Sequence, residues 1–287
     1  MNTKGIILAG GSGKRLWPIT STFSKHFVPI YDKPMIYYPL TTLMLCGIKD
    51  FLMICTKEDI VLYQKLLGNG KDLGIEINYQ IQEQPNGIAE ALILAEDFLS
   101  GQSSVLILGD NFIHGKDLGR NLEKFITSNG ASITSYYMAD VSQYGVVIFN
   151  QNDSPVEIIE KPTQTISNWA IPGIYFYDSS ASKRARELKP SVRGELEISD
   201  LNKSYLKDGL LTVHKLPRGS AWLDLGSPLG ILEASNYVKI MQDRQGILIG
   251  SPHEACSQMG LVKKADIVKN LKNRNSKYAF DIKFLLN

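Results

Sequence analysis

The chain has 287 residues, of which 44% are apolar and 21% are charged, values typical of a globular protein with a sizeable core. Its formal net charge is +2, and no block of five or more like charges occurs, which argues against a nucleic-acid-binding arm. No apolar run reaches transmembrane length, and the N-terminus lacks the apolar core of a signal peptide. We therefore expect a cytoplasmic protein that binds neither nucleic acid nor membrane. A basic cleft for a small polyanion remains compatible with this composition.

Neither the cysteines nor the histidines have the spacing of a metal or redox site. The three cysteines lie far apart and lack C-x-x-C spacing, which argues against a zinc site or a disulfide framework. We expect them to be small buried residues in a reducing compartment. The histidines form no H-x-x-x-H pair, and each is expected to be a packing or surface residue. These seven residues are Cys46, Cys55, Cys256, His26, His114, His214 and His253.

Strands and helices alternate through about the first 125 residues. Short apolar runs or alternating patterns predict strands at 4–9, 51–55, 75–81 and 104–108. Helical spacing predicts helices at 34–48, 57–67 and 87–99, with Pro34 near the first turn of the first helix. This alternation is typical of a parallel sheet with helices on both faces.

The second half of the chain is richer in strands. Strands are predicted at 132–138, 144–149, 156–160, 173–177 and 211–216, and helices at 179–188, 196–207 and 227–243. Short helices are predicted within 247–287. The fold class is therefore α/β, with a Rossmann-like mixed, mainly parallel sheet flanked by helices. We expect one domain over residues 1–245 and a small C-terminal helical annex, residues 246–287, packed on it.

A glycine-rich loop, residues 10–15 (GGSGKR), follows the first predicted strand. Its glycines permit backbone conformations closed to other residues, so that main-chain N–H groups can surround an anion. Two adjacent cations favour a phosphate as that anion. Because α/β sheets bind ligands at the carboxyl ends of their strands, this position favours a binding loop over a flexible surface turn.

Two familiar phosphate-binding patterns do not fit this loop. A P-loop would need glycine at Leu8 and serine or threonine at Arg15. A dinucleotide fingerprint starting at Gly11 would need glycine at Leu16. A nicotinamide-dependent oxidoreductase is therefore disfavoured.

Short motifs along the chain carry a resemblance to a known family. They are 8–16 (LAGGSGKRL), Pro18, Ser24, Lys25, Pro29, 31–40 (YDKPMIYYPL), 109–111 (GDN), 144–147 (YGVV), 160–162 (EKP), 173–177 (GIYFY), 193–198 (RGELEI) and 221–226 (AWLDLG). Together they resemble the sugar-phosphate nucleotidyltransferases over about residues 1–245, in the same order and at near-constant spacing. Within that family, the most similar branch couples glucose 1-phosphate to dTTP.

The resemblance implies a reaction and a cofactor. An oxygen of the sugar 1-phosphate attacks the α-phosphorus of the nucleotide, giving dTDP-glucose and pyrophosphate. Positioning and charge neutralisation do most of the work in such transfers, so no protein nucleophile is required. Two carboxylates distant in sequence are needed to hold Mg²⁺ between the phosphates. By resemblance these metal ligands are Asp110 and Asp224.

The resemblance also assigns the remaining site residues. The implied nucleotide-binding residues are Leu8, Gly10, Gly11, Ser12, Gly13, Gln82, Gly87 and Asp110, with Gln82 and Gly87 on the base. The implied sugar-phosphate-binding residues are Asn111, Gly145, Glu160, Lys161 and Arg193. The implied catalytic cations are Arg15, Lys25 and Lys161. Taken singly, these charges could equally be solvated surface residues, and Asp110 a strand-end aspartate.

Four residues depart from the family pattern. Trp17 lies beside the phosphate loop, Glu83-Gln84 follows the base-reading glutamine, and Leu225 follows the second metal aspartate. An acidic residue after the glutamine leaves the choice between thymidine and uridine open. The tail after about residue 250 matches poorly, and in the family this region helps to form subunit contacts. The resemblance therefore implies a homo-oligomer, dimer or tetramer, without fixing the number of subunits.

Three functions remain open at this point. The first is the reaction above with dTTP and glucose 1-phosphate, and the second is the same reaction with UTP, CTP or another sugar 1-phosphate. The third is a catalytically inactive paralogue that senses nucleotides. The presence of both aspartates together with Arg15, Lys25 and Lys161 argues against the third.

Overall fold

The computed structural model describes residues 3–11 and 13–286, and a mixed sheet of ten strands lies at the centre of this part of the chain. The strand order is β10-β9-β11-β8-β12-β6-β1-β4-β5, and β13 pairs with β8 beside this path. The strands of the molecule are β1 (Lys4–Leu8), β2 (Pro29–Ile30), β3 (Lys33–Pro34), β4 (Asp50–Cys55), β5 (Glu76–Ile81), β6 (Ser104–Leu108), β7 (Asn111–His114), β8 (Ala131–Tyr137), β9 (Gly145–Phe149), β10 (Pro155–Glu160), β11 (Trp169–Ala170), β12 (Ile174–Tyr177), β13 (Leu211–Lys215) and β14 (Ala221–Asp224).

Helices cover the sheet and form the C-terminal region. They are α1 (Tyr37–Leu45), α2 (Ile60–Leu67), α3 (Glu90–Leu94), α4 (Glu96–Leu99), α5 (Leu118–Glu123), α6 (Ala181–Arg186), α7 (Ile198–Lys207), α8 (Pro228–Gln245), α9 (Pro252–Gln258), α10 (Lys264–Asn270) and α11 (Lys277–Leu286). Short 3₁₀ helices occupy Lys14–Leu16, Ile19–Ser21, Lys25–Phe27 and Lys71–Leu73. Within the described ranges, no helix combines the length and the apolar character needed to cross a lipid bilayer.

The direction of the strands explains the mixed character of the sheet. Strands β5, β4, β1 and β6 run parallel to one another. The antiparallel pairings of β12, β11 and β10 then place seven of the ten strands in one direction and three in the other. This confirms the predicted α/β fold with a mixed, mainly parallel sheet.

Strand β1 is buried on both faces, as its continuous apolar run predicted. Ile6 packs in a cluster with Leu52 and Leu106 on one face of the sheet, and Ile7 packs with Met53 on the other. Each buried side chain of this kind contributes about 1.5–3 kcal/mol relative to an exposed one. The strand therefore forms a rigid base for the loop that follows it.

Two small sheets and the C-terminal helices complete the molecule. Strand β7 pairs with β14, and β2 pairs with β3 in a hairpin. Cys256, Ile267 and Ile282 of the C-terminal helices belong to the same apolar cluster as Leu40 of α1. The short helices predicted within 247–287 are thus present and packed on the sheet layer. The boundary between residues 245 and 246 follows the end of α8, and the division into a domain and an annex stays a prediction.

Every strand and helix predicted from the sequence is present, with shifted ends. Pro34 lies in β3 rather than in a helical first turn, so α1 begins at Tyr37. The predicted helix at 87–99 begins only at Glu90 and is divided into α3 and α4 at Ala95. Gly87 has a φ of +110°, outside helical geometry. The short elements β2, β3, β7, β11, β14 and α5 were not predicted.

Candidate functional site

The carboxyl ends of β1 and β6 meet at one edge of the sheet. The two strands are parallel neighbours, with Leu8 opposite Leu108, and the Gly109 N–H donates to the Leu8 carbonyl at 2.9 Å. The glycine-rich loop leaves β1 here and Asp110 follows β6. A Cβ on Gly109 would lie 2.7 Å from the His26 ring, so glycine permits the close approach of that ring. This edge is where open α/β sheets bind ligands.

The pairing of β7 with β14 brings the two predicted metal aspartates to the same place. Asp224, the last residue of β14, lies opposite Asn111, the first residue of β7. The Leu225 N–H donates to the Asp110 carbonyl at 3.1 Å, so the backbones around both carboxylates are joined directly. Leu225 itself is fully buried, which explains an apolar residue at that position.

Each of these carboxylates is paired with one predicted cation. Lys25 Nζ donates to Asp110 Oδ2, and both side chains are largely buried. Arg15 lies 3.3 Å from Asp224 Oδ2, with 55% of its side chain exposed and 16% of the aspartate's. Burial raises the pKa of Asp110, but the charge and the hydrogen bond of Lys25 outweigh it and hold the pKa below its usual value. Asp110 is therefore ionised at neutral pH.

His26 anchors the turn that carries Lys25. Its Nδ1 lies 2.8 Å from the Ser24 hydroxyl and 3.0 Å from the Tyr63 hydroxyl, and its carbonyl accepts from the Ile36 N–H at 3.0 Å. Burial, assisted by the charge of Lys25, lowers the pKa of His26 to about 3. The ring is therefore neutral and serves as a packing residue, as the sequence predicted.

The glycine-rich loop lies against Gln82. A Cβ on Gly10 would approach Gln82 Oε1 to 2.7 Å, whereas a Cβ on Gly11 would meet only Lys25 at 3.6 Å. Gly13 has a φ of +62°, and its carbonyl accepts a hydrogen bond from the Thr20 hydroxyl at 2.9 Å. Ser12 lies outside the described residues, so its predicted role stays a prediction.

Acidic and basic side chains converge on the opposite side of the cleft. Glu160 accepts a hydrogen bond from the Ser199 hydroxyl and lies 3.9 Å from Lys161 and 3.7 Å from Arg193. Arg193 also pairs with Glu197 at 2.8 Å. Lys161 has a φ of +43°, a conformation that costs a non-glycine residue of order 1 kcal/mol or more and is common at functional sites.

The side chain of Asn111 connects the segments that form the cleft wall between Asp224 and Glu160. Its Oδ1 accepts from the Gly173 N–H and from Trp222 Nε1, both at 2.8 Å. The Trp222 ring packs on Tyr144 with centroids 4.8 Å apart. A Cβ on Gly173 would come within 2.5 Å of Asn111 Nδ2, so this contact needs glycine. The two aromatic rings are packing residues, as predicted, and they also line the cleft.

A cavity of about 230 Å³ lies between these groups. The predicted site residues in its wall are Arg15, Asp110, Asn111, Gly145, Glu160, Lys161 and Asp224. Lys25 and Arg193 do not line the cavity themselves. Lys25 pairs with Asp110 in the cavity wall, and Arg193 pairs with Glu160. A larger cavity of about 390 Å³, between α1 and the C-terminal helices, contains none of the predicted residues. The smaller cavity is therefore the candidate site.

The predicted base-reading residues lie at one end of the cleft, outside the cavity wall. Gln82 is buried and donates from Nε2 to Glu90 at 2.6 Å. A Cβ on Gly87 would come within 2.4 Å of the Leu196 carbonyl, and the Leu196 N–H donates to the Asn86 carbonyl at 2.6 Å. Leu8 lies at the end of β1, beneath the loop.

The structure adds cavity residues that motif reasoning did not assign. The polar ones are Gln143, Ser199 and Asn202, and the apolar ones include Ile88, Ile171 and Ile198. Gln143 and Ser199 lie within one or two residues of the motifs at 144–147 and 193–198, and this proximity was the available signal. Asn202 lies one helical turn after Ser199 on α7, a spacing that places the two side chains on one face.

The family of the chain follows from comparison with known proteins. A family model described as nucleotidyl transferase matches residues 4–240. The chain therefore belongs to the nucleotidyl transferase family, as the sequence motifs predicted. Among its curated relatives, the glucose-1-phosphate thymidylyltransferase of Neisseria gonorrhoeae is 46% identical over 271 residues, which cover 94% of each chain. The enzyme of the same name from Mycobacterium tuberculosis is 45% identical over 266 residues, 93% of this chain and 92% of the relative.

Solved structures agree with this assignment. A Bacillus anthracis protein assigned as a glucose-1-phosphate thymidylyltransferase, crystallised with sucrose, superposes with a TM-score of 0.76 at 40% identity. The match covers 82% of this chain and 94% of that one. A UDP-glucose pyrophosphorylase crystallised with UDP-glucose superposes with a TM-score of 0.74 at 24% identity, a likeness of fold.

Proposed function

We propose that the chain is a magnesium-dependent glucose-1-phosphate thymidylyltransferase, which couples glucose 1-phosphate to dTTP and releases pyrophosphate. The observation that carries this proposal is the convergence of two ion pairs, Lys25–Asp110 and Arg15–Asp224, beside the glycine-rich loop. The relatives of that name, at 45–46% identity over nearly the whole chain, support the choice of substrates.

The donor set fits a magnesium ion. Mg²⁺ is usually bound by one or two carboxylates, with water and substrate phosphates as its other ligands. Asp110 and Asp224 supply two carboxylates on adjoining backbones. Among the described residues, no group of three or more His, Cys, Asp or Glu side chains is arranged to hold a metal ion. An ion at this site would therefore depend on the substrates for further oxygen ligands and, when bound, would neutralise charge on the reacting phosphates.

The side chains of the cleft then have distinct tasks. The loop N–H groups and Arg15 bind the triphosphate, and Lys25 keeps Asp110 ionised and in place. Lys161 and Arg193 receive the sugar-linked phosphate, and Glu160, oriented by Ser199, binds sugar hydroxyls. An oxygen of the sugar phosphate forms a bond to the α-phosphorus while the bond from that phosphorus to the β-bridging oxygen breaks. That oxygen leaves with its electron pair as part of pyrophosphate, so the protein need not form a covalent intermediate.

A substrate panel tests the proposal. Purified protein with Mg²⁺ is mixed with dTTP, UTP, CTP, ATP or GTP and with glucose 1-phosphate or another sugar 1-phosphate, and pyrophosphate release is measured. We expect the highest kcat/KM with dTTP and glucose 1-phosphate. A maximum with UTP, CTP or another sugar would correct the substrates, and no release from any pair would overturn the enzymatic function in favour of a nucleotide-sensing paralogue.

We also propose a cytoplasmic location and a homo-oligomeric state, dimer or tetramer. The three cysteines are free and buried, and burial raises the pKa of Cys55 to about 12 and that of Cys256 to about 11, which suits inert thiols in a reducing compartment. Phe280 and Phe284 lie four residues apart on α11 with 68% and 76% of their surface exposed, which favours a covered face. Light scattering during gel filtration measures the mass directly.

A further inference from the structure

The carboxylate of Glu90 is hydrogen-bonded to the side chain of Gln82. Its Oε2 accepts from Gln82 Nε2 at 2.6 Å, and its Oε1 accepts from Asn86 Nδ2 at 2.8 Å. Both carboxylate oxygens are therefore engaged with amide donors at the end of the cleft where the base is expected. Glu83 and Gln84, the sequence departures at this end, are exposed to solvent. The acidic residue that acts on the predicted base-reading side chain is thus Glu90.

An ionised carboxylate accepts hydrogen bonds and cannot donate them, whereas a carboxamide has one donating and one accepting end. Gln82 must therefore point its Nε2 toward the Glu90 carboxylate. The orientation of the Gln82 carboxamide is then fixed. Its Oε1 lies on the side of Gly10, and the second N–H of Nε2 remains free to donate. The opposite orientation would place Oε1 against the Glu90 carboxylate, two acceptors at hydrogen-bond distance.

We infer that Glu90 is a positioning residue that fixes the Gln82 amide so that it selects an imide pyrimidine, thymine or uracil, over cytosine. The inference deepens the proposed function and rests on it. Thymine and uracil present an N–H donor at N3 beside a carbonyl acceptor, which complements a fixed carboxamide. Cytosine presents an acceptor at N3 beside an amino donor, the reverse pattern, and needs the amide orientation that Glu90 opposes.

The test compares kcat/KM for dTTP, dUTP and dCTP in the wild type and in Glu90→Gln, at saturating glucose 1-phosphate and Mg²⁺. The glutamine keeps the shape of the side chain but can donate or accept, so it tolerates both orientations of Gln82. We expect the wild type to prefer dTTP over dCTP and the variant to lower that preference at least tenfold. The ratio of dTTP to dUTP should stay within twofold, because both bases carry the imide.

Two matched variants separate orientation from general damage. Asn86→Ala removes the other partner of Glu90 and leaves the Gln82 hydrogen bond, so the dTTP to dCTP ratio should not change. Glu96→Gln makes the same charge change on the neighbouring helix, where Glu96 pairs with Arg186, and should also leave the ratio unchanged.

Several outcomes would overturn the inference. They are a wild type that uses dCTP as well as dTTP, a Glu90→Gln variant that keeps the wild-type ratio, and a variant that loses activity equally with all three nucleotides. Failure of the proposed function looks different, since the wild type would then release no pyrophosphate with any nucleotide.

Discussion

At the scale of single residues, charge compensation is the dominant feature of the cleft. Lys25 pairs with Asp110 and Arg15 pairs with Asp224, so each carboxylate lies next to a cation. The proposed function predicts that an arriving triphosphate brings acceptors for both cations, so that each cation bridges a carboxylate and a phosphate. The geometry is set before the substrate binds, which is the arrangement that electrostatic catalysis requires.

We expect Asp110→Asn and Asp224→Asn each to lower kcat by about a hundredfold or more, because each removes a charge that compensates the reacting phosphates. Asp110→Asn also leaves the largely buried Lys25 without its ion pair, so its free energy of unfolding in urea should fall by about 3 kcal/mol. Asp224→Asn should change that free energy little, because its partner Arg15 is more than half exposed. Steady-state pyrophosphate release measures the first quantity.

The matched control for these variants is Asp208→Asn. Asp208 is half exposed and pairs with Arg184 at 2.7 Å, and it does not line the cavity. Its kcat should match the wild type. Near-normal turnover in both cleft variants would show that the metal ligands have been assigned wrongly.

At the scale of elements, the first turn of α8 packs against the side of the cleft that carries Asp224. A Cβ on Gly230 would lie 2.1 Å from the Asp224 carbonyl, so the helix begins directly on the backbone of that aspartate. Ser227 is the N-cap residue, and its hydroxyl accepts from the Gly230 N–H at 3.1 Å, with Pro228 in the first turn. A serine at the N-cap followed by a proline in the first turn is a favourable arrangement for the start of a helix.

We expect Ser227→Ala to lower the free energy of unfolding by about 1 kcal/mol, because the first turn loses its side-chain acceptor. Equilibrium unfolding in urea measures the change. The control is Ser204→Ala in α7, where the hydroxyl only donates back to the Leu201 carbonyl within the helix, so its loss should be close to neutral. Equal destabilisation by both variants would exclude a capping role.

The same scale shows what sequence reasoning can reach. Long apolar or periodic segments such as β1, β4 and β6 were predicted, because burial on two faces leaves a continuous pattern. Strands β7 and β14 were missed, since each has only four residues and overlaps a motif for which a role but no local structure was predicted. Their pairing depends on contacts between distant segments, which no local pattern reports.

The candidate site divides in a similar way. The residue types and their order were predicted by family resemblance, and the role of Asp110 and Asp224 as metal ligands stays a prediction. The partner of each residue was not predicted, because it is decided by tertiary packing. The hydrogen bond between Gln82 and Glu90 depends on where α3 begins. The structure places this start three residues after the predicted one.

At the scale of the whole molecule, the C-terminal helices share the main core with the sheet layer. Glu254 of α9 lines the 390 Å³ cavity together with Tyr38 and Thr41 of α1. Burial raises the pKa of Glu254 to about 7, against the opposing effects of the Gln258 amide and the charge of Lys33. The junction between the C-terminal helices and the rest of the chain therefore contains a carboxyl group that resists ionisation.

The sign of its effect on stability follows from linkage. The pKa is higher in the folded protein than in the unfolded chain, so the folded state binds the proton more tightly. This contribution is complete below the unfolded pKa of about 4.5 and is lost as the pH rises through about 7. We expect Glu254→Gln to be more stable than the wild type by about 1–3 kcal/mol at pH 8.5, with a smaller difference at pH 5.5.

Urea unfolding of the two proteins at both pH values measures this difference. Glu233→Gln, at an exposed position on α8, is the control and should unfold like the wild type at each pH. A stability difference for Glu254→Gln that does not grow with pH would contradict the assignment of a buried, protonated carboxyl group at this junction.

The pairing of β7 with β14 also has a consequence for biosynthesis. Of the ten strands of the main sheet, β1, β4, β5 and β6 are synthesised first, and these four are consecutive in the sheet and can assemble as a unit. Asp110 emerges with them, whereas Asp224 emerges much later on a strand whose partner is already in place. The nascent chain thus acquires its phosphate loop before the second carboxylate of the proposed metal site. The two carboxylates of the proposed site are brought together only when β14 pairs with β7.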